Sequence, residues 1–460
     1  MYKRQAIDRA LVAGALRIAA GNTAALMTEA AELTGLANPN SVAQLKDWLA
    51  EALDRDELPD LRKETVSDLL GDLPDNDARR VLEIRQELCK TSTKKYNAME
   101  AAVGPDGRVR GLLQFYGANR TGRWAGRLVQ VQNLPRTHLA GIDTARTLVK
   151  EGNGAALRLG WGNVPDTLSQ LVRTAFVPAP GRRFVDADFS AIEARVIAWL
   201  AGEQWVLEVF RTHGKIYEAT ASQMFGVPME RIVKGKPEYG LRQQGKVAQL
   251  ACGYGGGEAA MARMDYGHAI DPAEYAGLVK KWREANPAIV SLWRKVEDAA
   301  LCALRVGRCE LTLPDCELQF TYEGDDPADQ RFLTILLPSG RKLFYARPTT
   351  GINRFGNTAL CYMGLNQVTR KWELTETYGG KLVENIVQAV ARDCLAVNIE
   401  RLEAAGYPIV FHVHDEIVAE VAAERADLSA ICEIMSRPIP WAPGLPLRAD
   451  GWVGNYYTKD

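Results

Sequence analysis

The sequence lacks a membrane-length apolar run, paired cysteines and any strong net charge. No uninterrupted apolar stretch approaches the roughly 18–20 residues that a bilayer span needs, so no membrane partner is expected. The basic opening, Met1 to Arg4, runs into Asp8 and scattered polar residues, so a secretory leader is not expected either. Cys89, Cys252, Cys302, Cys309, Cys316, Cys361, Cys394 and Cys432 form no CxxC pair, which removes the usual zinc spacing. Reduced core thiols in a cytoplasmic protein are the expectation. There is no internal repeat and no low-complexity tract. A formal charge of −1 does not announce a nucleic-acid partner.

What is present is an ordinary enzyme composition, 47% apolar and 25% charged, in a chain of 460 residues. That length suggests about three domains or subdomains. The charge is segregated even though it nearly cancels. Arg79 to Arg136 carries 12 Lys/Arg against 4 Asp/Glu, whereas Ser41 to Ala78 carries 4 against 11. Such a pattern suits a surface that tracks phosphates beside one that does not. Solvated helix faces with i,i+4 pairs are the plainer account of it.

Hydrophobic periodicity makes the first third mostly helical, from Ala6 to Gly35, Ser41 to Leu53 and Asp77 to Ala102. Gly104-Pro105-Asp106-Gly107 marks a turn and a boundary. Phe184 to Phe189 alternates like a strand; Ser190 then stands as an N-cap with Glu193 as its capping-box partner, opening a helix to Leu200. Asp188 therefore lies at a strand end. Pro237 to Gly253 forms a further helix, ended by Gly253 and Gly255-Gly256-Gly257. Short strands follow between Cys309 and Pro348, with a hairpin at Pro338-Ser339-Gly340. Val383 to Ala404 is a long helix, and Ile409 to Val421 alternates strongly around His414-Asp415-Glu416.

Nucleotidyl transfer asks a protein mainly to align two oxygens and neutralise charge. Two divalent ions roughly 3.5–4 Å apart do both. Such ions prefer carboxylate, carbonyl and water oxygens, so the site should show aspartates at strand ends with no His/Cys cage. Asp188 and Asp415 fit, although a lone Asp at a turn is more often structural. On the helix between them, Arg242, Lys246, Leu250 and Tyr254 recur every four residues, a stripe drifting by about 40° per step. Two cations on it could grip a triphosphate, and Tyr254 could stack on a base. A solvated basic face with one packed aromatic explains the same spacing equally well.

Four ordered segments make the resemblance specific. Asp188-Phe189-Ser190-Ala191-Ile192-Glu193-Ala194-Arg195 is similar to D-Y-S-x-I-E-x-R. Arg242, Lys246 and Tyr254-Gly255 match R-x3-K-x7-Y-G. His414-Asp415-Glu416 matches H-D-E. Thr121-Gly122-Arg123, followed by Gln132-Asn133-Leu134-Pro135, matches T-G-R…Q-N-[IL]-P. Together they resemble the polymerase module of the family A, DNA polymerase I-like enzymes, over nearly the whole chain and least ahead of Leu70.

That resemblance implies an α+β right-hand polymerase: a helical thumb over 1–110, a palm with an antiparallel sheet at 111–204 and 384–460, and mainly helical fingers over 205–383. It implies Asp188 and Asp415 as ligands of two Mg²⁺ ions, with Mn²⁺ as an alternative, and Glu416 as an auxiliary carboxylate. Glu193 would exclude a 2′-hydroxyl. Arg242 and Lys246 would hold the triphosphate, Lys246 also protonating pyrophosphate. Leu250, Tyr254 and Tyr217 would complete the nucleotide pocket. Arg123, Gln132, Asn133, Gln388 and His414 would contact primer–template DNA. The partners are DNA and dNTPs, and a monomer is expected.

Leu250 departs from the usual aromatic, Tyr217 from the usual His, and Glu384 from the usual Asn, with Asn385 beside it. The strand-rich piece from Cys309 to Pro348, with Tyr378 to Asn385, resembles the phage-encoded branch, which implies a bacterial host cytoplasm. The opening at Met1 to Gln5 suggests a fragment lacking an upstream 3′–5′ exonuclease domain. Two rivals are a single-subunit RNA polymerase-like enzyme and an inactive DNA-binding replication accessory protein. Glu193 and the H-D-E form oppose the first; retention of both aspartates opposes the second.

Overall fold

The computed structural model describes residues 4–324, 331–353, 355–366 and 369–459; Met1–Lys3, within the expected abrupt opening, lie outside them. A four-stranded antiparallel sheet organises the molecule. Its spatial order is Ile409–Val413, Glu416–Ala422, Arg182–Phe189, Ala449–Gly454. Val185, Ala187, Ile417 and Ala419 enter one hydrophobic core, while Phe184, Phe411 and Val418 enter another. Burial on both faces explains why Glu416–Ala422 is almost wholly buried rather than alternating with solvent.

Behind the sheet runs the helix Gly379–Ala404, 26 residues or about 39 Å long. It is buried along most of its circumference, as befits an interior helix. It begins four residues before the Val383 that periodicity marks.

The amino-terminal third is helical: Arg9–Thr34, Val42–Ala52, Lys63–Asp72, Asp77–Leu88 and Lys94–Ala102. Asp8 caps the first by accepting the Leu11 N–H, and it pairs with Arg146 at 3.0 Å and Lys150 at 2.7 Å. Gly14 lets this helix meet the helix Ile142–Glu151 closely, since a Cβ there would lie 1.8 Å from the Val149 carbonyl oxygen. Contrary to the sequence expectation, Arg9–Thr34 is long and apolar enough to cross a membrane by length and composition. Its alanines raise the hydropathy around Arg17 and Asn22, while Leu11, Val12, Ala15 and Ile18 pack into the protein.

The base and the tip of this third have different cores. Ile7 to Ile18 and Tyr96 share a core with Phe176 and Tyr457, whereas Leu45, Leu49, Val66, Val81 and Leu82 form a separate cluster. The strand Arg4–Ala6 pairs with Arg108–Arg110, and Ile7 bridges Phe176.

Residues 205–378 are helical only as far as Val306. A six-stranded antiparallel meander follows: Arg308–Thr312, Glu317–Glu323, Phe332–Leu336, Lys342–Ile352, Thr358–Leu365 and Trp372–Thr377. The sheet extends beyond the strand-rich piece expected from Cys309 to Pro348, because Thr358–Leu365 is nearly continuously buried and does not alternate. Leu318, Phe320, Leu333, Ile335, Leu343 and Tyr345 are buried on its inner face. The hairpin at Pro338-Ser339-Gly340 is present, with Gly340 at φ +81°. Its tip docks on the long helix: Ser339 Oγ donates to Asp393 at 2.5 Å, and Arg341 Nε donates to the same carboxylate at 2.8 Å.

Candidate active site

Asp188 lies one residue from the end of the central strand, and the chain turns at Ala191, which holds φ +50°, into the helix Ile192–Ala201. The expected capping box does not form: the N-cap is Ala191, without a side-chain cap bond. Glu193 instead accepts from Arg123 Nη2 at 2.6 Å and from the Tyr254 hydroxyl at 2.9 Å. Arg123 pairs with this carboxylate as a full cation, and Tyr254 adds a second donor, which a single backbone N–H cannot match. Burial, then the Glu193 carboxylate, raises the Tyr254 phenol well above its usual range.

His414 and Asp415 form the two-residue turn between Ile409–Val413 and Glu416–Ala422, with His414 at φ +52°. The register sets Glu416 directly opposite Asp188 and Val418 opposite Asp186, and the Phe189 N–H donates to the Asp415 carbonyl at 3.2 Å. Because strand side chains alternate, Asp186 and Asp188 project to one face together with Glu416. Four carboxyl groups therefore gather at this end of the sheet.

Burial, followed by the Asp188 charge, pushes Asp415 up to about 7. Burial likewise raises Asp188 against the pull of Lys459. Burial, and then the Glu416 charge, raise the Asp186 carboxyl well above its usual range. Burial would raise Glu416 as well, but the bonds from Asp186 and Lys459 outweigh it and hold it low.

Asp186 Oδ2, Asp188 Oδ1 and Glu416 Oε1 are buried without a conventional donor. Buried carboxylate oxygens left this way call for a cation or a proton. Among the described residues no group of three or more His, Cys, Asp or Glu side chains is arranged to hold a metal ion.

Facing these carboxylates is the helix Leu241–Cys252, preceded by a 3₁₀ turn at Pro237–Gly240. Gly245 lets it approach the helix Ile216–Phe225, for a Cβ there would sit 2.5 Å from the Tyr217 carbonyl oxygen. That contact places the Tyr217 ring 5.5 Å from the Arg242 guanidinium. Arg242 Nε is bonded to Glu218 at 2.7 Å, which raises its pKa further. Lys246 has no hydrogen-bond or ion-pair partner among the described residues. Leu250 is 48% exposed and, with Glu193, Tyr217, Tyr254 and Asp415, lines a cavity of about 330 Å³. Trp293 Nε1 donates to the Gly253 carbonyl at 3.1 Å, and Trp282 stacks on Trp293, fixing the helix end.

The residues expected to meet DNA divide into two sets. Arg123 reaches the cavity through Glu193, and His414 lies next to Asp415. Burial and the charges of Arg123 and Lys459 lower the His414 pKa. Gln132 donates to the Trp124 carbonyl at 3.0 Å, bracing the strand Arg123–Gly126, while Asn133 is exposed. Gln388 lies 3.4 Å from Glu384, which Lys381 holds at 2.7 Å. Asn385 is not a substitute for the displaced Asn, because it is buried and donates to Tyr345 at 3.0 Å. The basic stretch is partly neutralised within the fold, by Arg80–Glu29, Arg79–Glu83, Arg110–Asp106 and Arg108–Glu420 pairs.

Sequence reasoning misses Asp186, Glu218 and Lys459. Asp186 was detectable, since an Asp two residues before Asp188 on a strand shares its face. Glu218 stands beside Tyr217 without a spacing that marks it. Lys459 Nζ bonds Asp188 Oδ2 at 2.9 Å and Glu416 Oε2 at 2.7 Å, across 271 and 43 residues, and no local pattern signals that.

A family model described as DNA polymerase family A matches residues 15–303. The DNA polymerase of Bacillus phage SP02 is 54% identical over 456 residues, covering 99% of this chain and 68% of that protein. The thermostable DNA polymerase I of Thermus thermophilus is 31% identical over 301 residues, 64% of this chain and 29% of that protein. The POL domain of Pol1 from M. smegmatis, in complex with DNA primer-template and dNTP, matches with a TM-score of 0.62 at 19% identity. That match covers 98% of this chain and 67% of that one, and it shows the fold.

The fold and these likenesses define a right-hand, template-directed polymerase. The chain belongs to DNA polymerase family A, as a DNA-directed DNA polymerase of phage type. Enzymes of this family use divalent metal ions.

Proposed function

We propose that Asp188 and Asp415 hold two divalent ions, Mg²⁺ or in its place Mn²⁺, and that the cavity beneath Leu241–Cys252 receives a deoxynucleoside triphosphate opposite a primed template. The observation that carries this reading is the buried carboxylate cluster at the sheet end, with oxygens that no conventional donor satisfies. Leu250 and Tyr254, from the same helical stripe as Arg242 and Lys246, line the cavity beside Asp415. When bound, such ions activate the attacking hydroxyl and neutralise the leaving oxygen.

The chain's own residues do the positioning. Arg242 releases Glu218 to take phosphate oxygens, and Lys246 supplies a second cation and a proton for the leaving group. Glu193, fixed by Arg123 and Tyr254, presents a carboxylate wall where a 2′-hydroxyl would lie. Leu250 and Tyr217 line the pocket, and Tyr254 closes it on the template side. Arg123, Gln388 and His414 meet the primer–template, with Gln132 and Asn133 supporting the Arg123 strand.

Extension of a primed template in Mg²⁺ tests the assignment. Asp188→Ala and Asp415→Ala should each lose at least about a thousandfold in rate, since each removes metal-centred charge stabilisation. Full activity in either variant refutes the site.

A further inference from the structure

Lys459 is delivered to the carboxylates by an anchored segment. Tyr457 is fully buried, packs 5.0 Å from Phe411 and accepts from Arg173 Nη1 at 2.6 Å, and its backbone N–H donates to the Phe176 carbonyl at 3.0 Å. The Tyr456 hydroxyl donates to Asp143 at 2.9 Å. Two residues beyond Tyr457, the Lys459 ammonium bridges Asp188 and Glu416. Glu416 is 1% exposed, and Asp188 Oδ1 is buried without a donor. An ammonium has three donors, and two are committed here to carboxylates on neighbouring strands. The other cation near the cluster, Arg123, is committed to Glu193.

We propose that Lys459 is a built-in counter-cation of the metal centre, bridging Asp188 and Glu416 in the metal-free enzyme and yielding that place when divalent ions bind. The inference rests on the metal assignment for Asp188 and Asp415. Its physical basis is that carboxylates sharing one buried site repel each other unless a positive charge lies between them. An ammonium in that place also opposes an arriving dication, so the residue would hold the empty site together while weakening its grip on metal.

The test is Mn²⁺ titration of the DNA-free enzyme, followed by electron paramagnetic resonance of the free ion, together with thermal midpoints in EDTA and in Mn²⁺. Lys459→Met should bind Mn²⁺ roughly tenfold more tightly, through loss of one like charge. It should also melt lower than the parent in EDTA, with the deficit erased by Mn²⁺. Lys459→Arg should stay near the parent in both. A purely structural tether would lower both midpoints equally and leave affinity unchanged, and that result overturns the proposal. Equal or weaker Mn²⁺ binding by Lys459→Met overturns it as well. Asp415→Asn separates the two readings: if it binds Mn²⁺ as the parent does, the metal assignment itself has failed.

Discussion

The two larger sheets of this molecule are built on opposite plans. The four-stranded sheet draws its strands from residues 182–189, 409–422 and 449–454, so most of its pairing is between distant segments. The six-stranded meander pairs each strand with the next, from Arg308 to Thr377. The first carries buried carboxylates with unpartnered oxygens. The second has an apolar inner face and a hairpin tied to the long helix by bonds from Ser339 and Arg341 to Asp393. Buried carboxylates are concentrated where distant segments meet, which is where a site can be assembled that no single segment could build.

The comparison can be broken from either side. Asp415→Ala should abolish extension, a loss worth several kcal/mol of transition-state stabilisation, without lowering the urea midpoint, because it removes a buried like charge. A large drop in that midpoint would show that the carboxylates support the fold rather than only the chemistry. Phe320→Ala in the meander should do the reverse. Emptying a fully buried ring site costs about 3–5 kcal/mol in equilibrium unfolding. The Mg²⁺ concentration giving half-maximal extension should stay unchanged, and a shift would tie the meander to the metal centre.

Smaller effects sharpen the boundary between the sheets at the fingers. Leu250→Phe should change dideoxynucleotide selectivity and incorporation rate by roughly tenfold, about 1.4 kcal/mol of barrier. Identical single-turnover kinetics would show that the 48%-exposed Leu250 does not touch the sugar. Glu218→Gln should lower KM for dNTP by only about two- to threefold, because a partly exposed ion pair is worth less than about 1 kcal/mol. An increase in KM would mean that Glu218 positions Arg242 rather than restraining it.

Much of the site was legible because its residues stand at strand ends or on one helical stripe. Asp188, Asp415, Arg242 and Tyr254 follow from local pattern and from the ordered motifs. The hairpin at Pro338-Ser339-Gly340 was legible from its turn chemistry. The capping box failed because Glu193 found stronger partners in Arg123 and Tyr254, both distant in sequence. The meander was underestimated because Thr358–Leu365 is nearly continuously buried and so does not alternate. The helix Arg9–Thr34 has the length and hydropathy of a membrane span, which its interruption by Arg17 and Asn22 masks when only uninterrupted apolar runs are counted. Lys459 was illegible because long-range electrostatics, not periodicity, puts it beside Asp188.

The turn at His414-Asp415 leaves no slack between its strands. Adding or deleting one residue within Glu416–Ala422 would invert every side chain beyond it, since strand faces alternate with a period of two. An insertion ahead of Ile417 would exchange that strand's apolar residues between the two cores and carry Glu416 away from Asp188. Length changes in this lineage should therefore accumulate elsewhere. The meander offers such room away from the docked tip at Pro338-Ser339-Gly340, because a hairpin can grow outward without shifting the register of the next. The sheet that performs the chemistry is closed to insertion, and its neighbour is where descendants of this enzyme can acquire new surface.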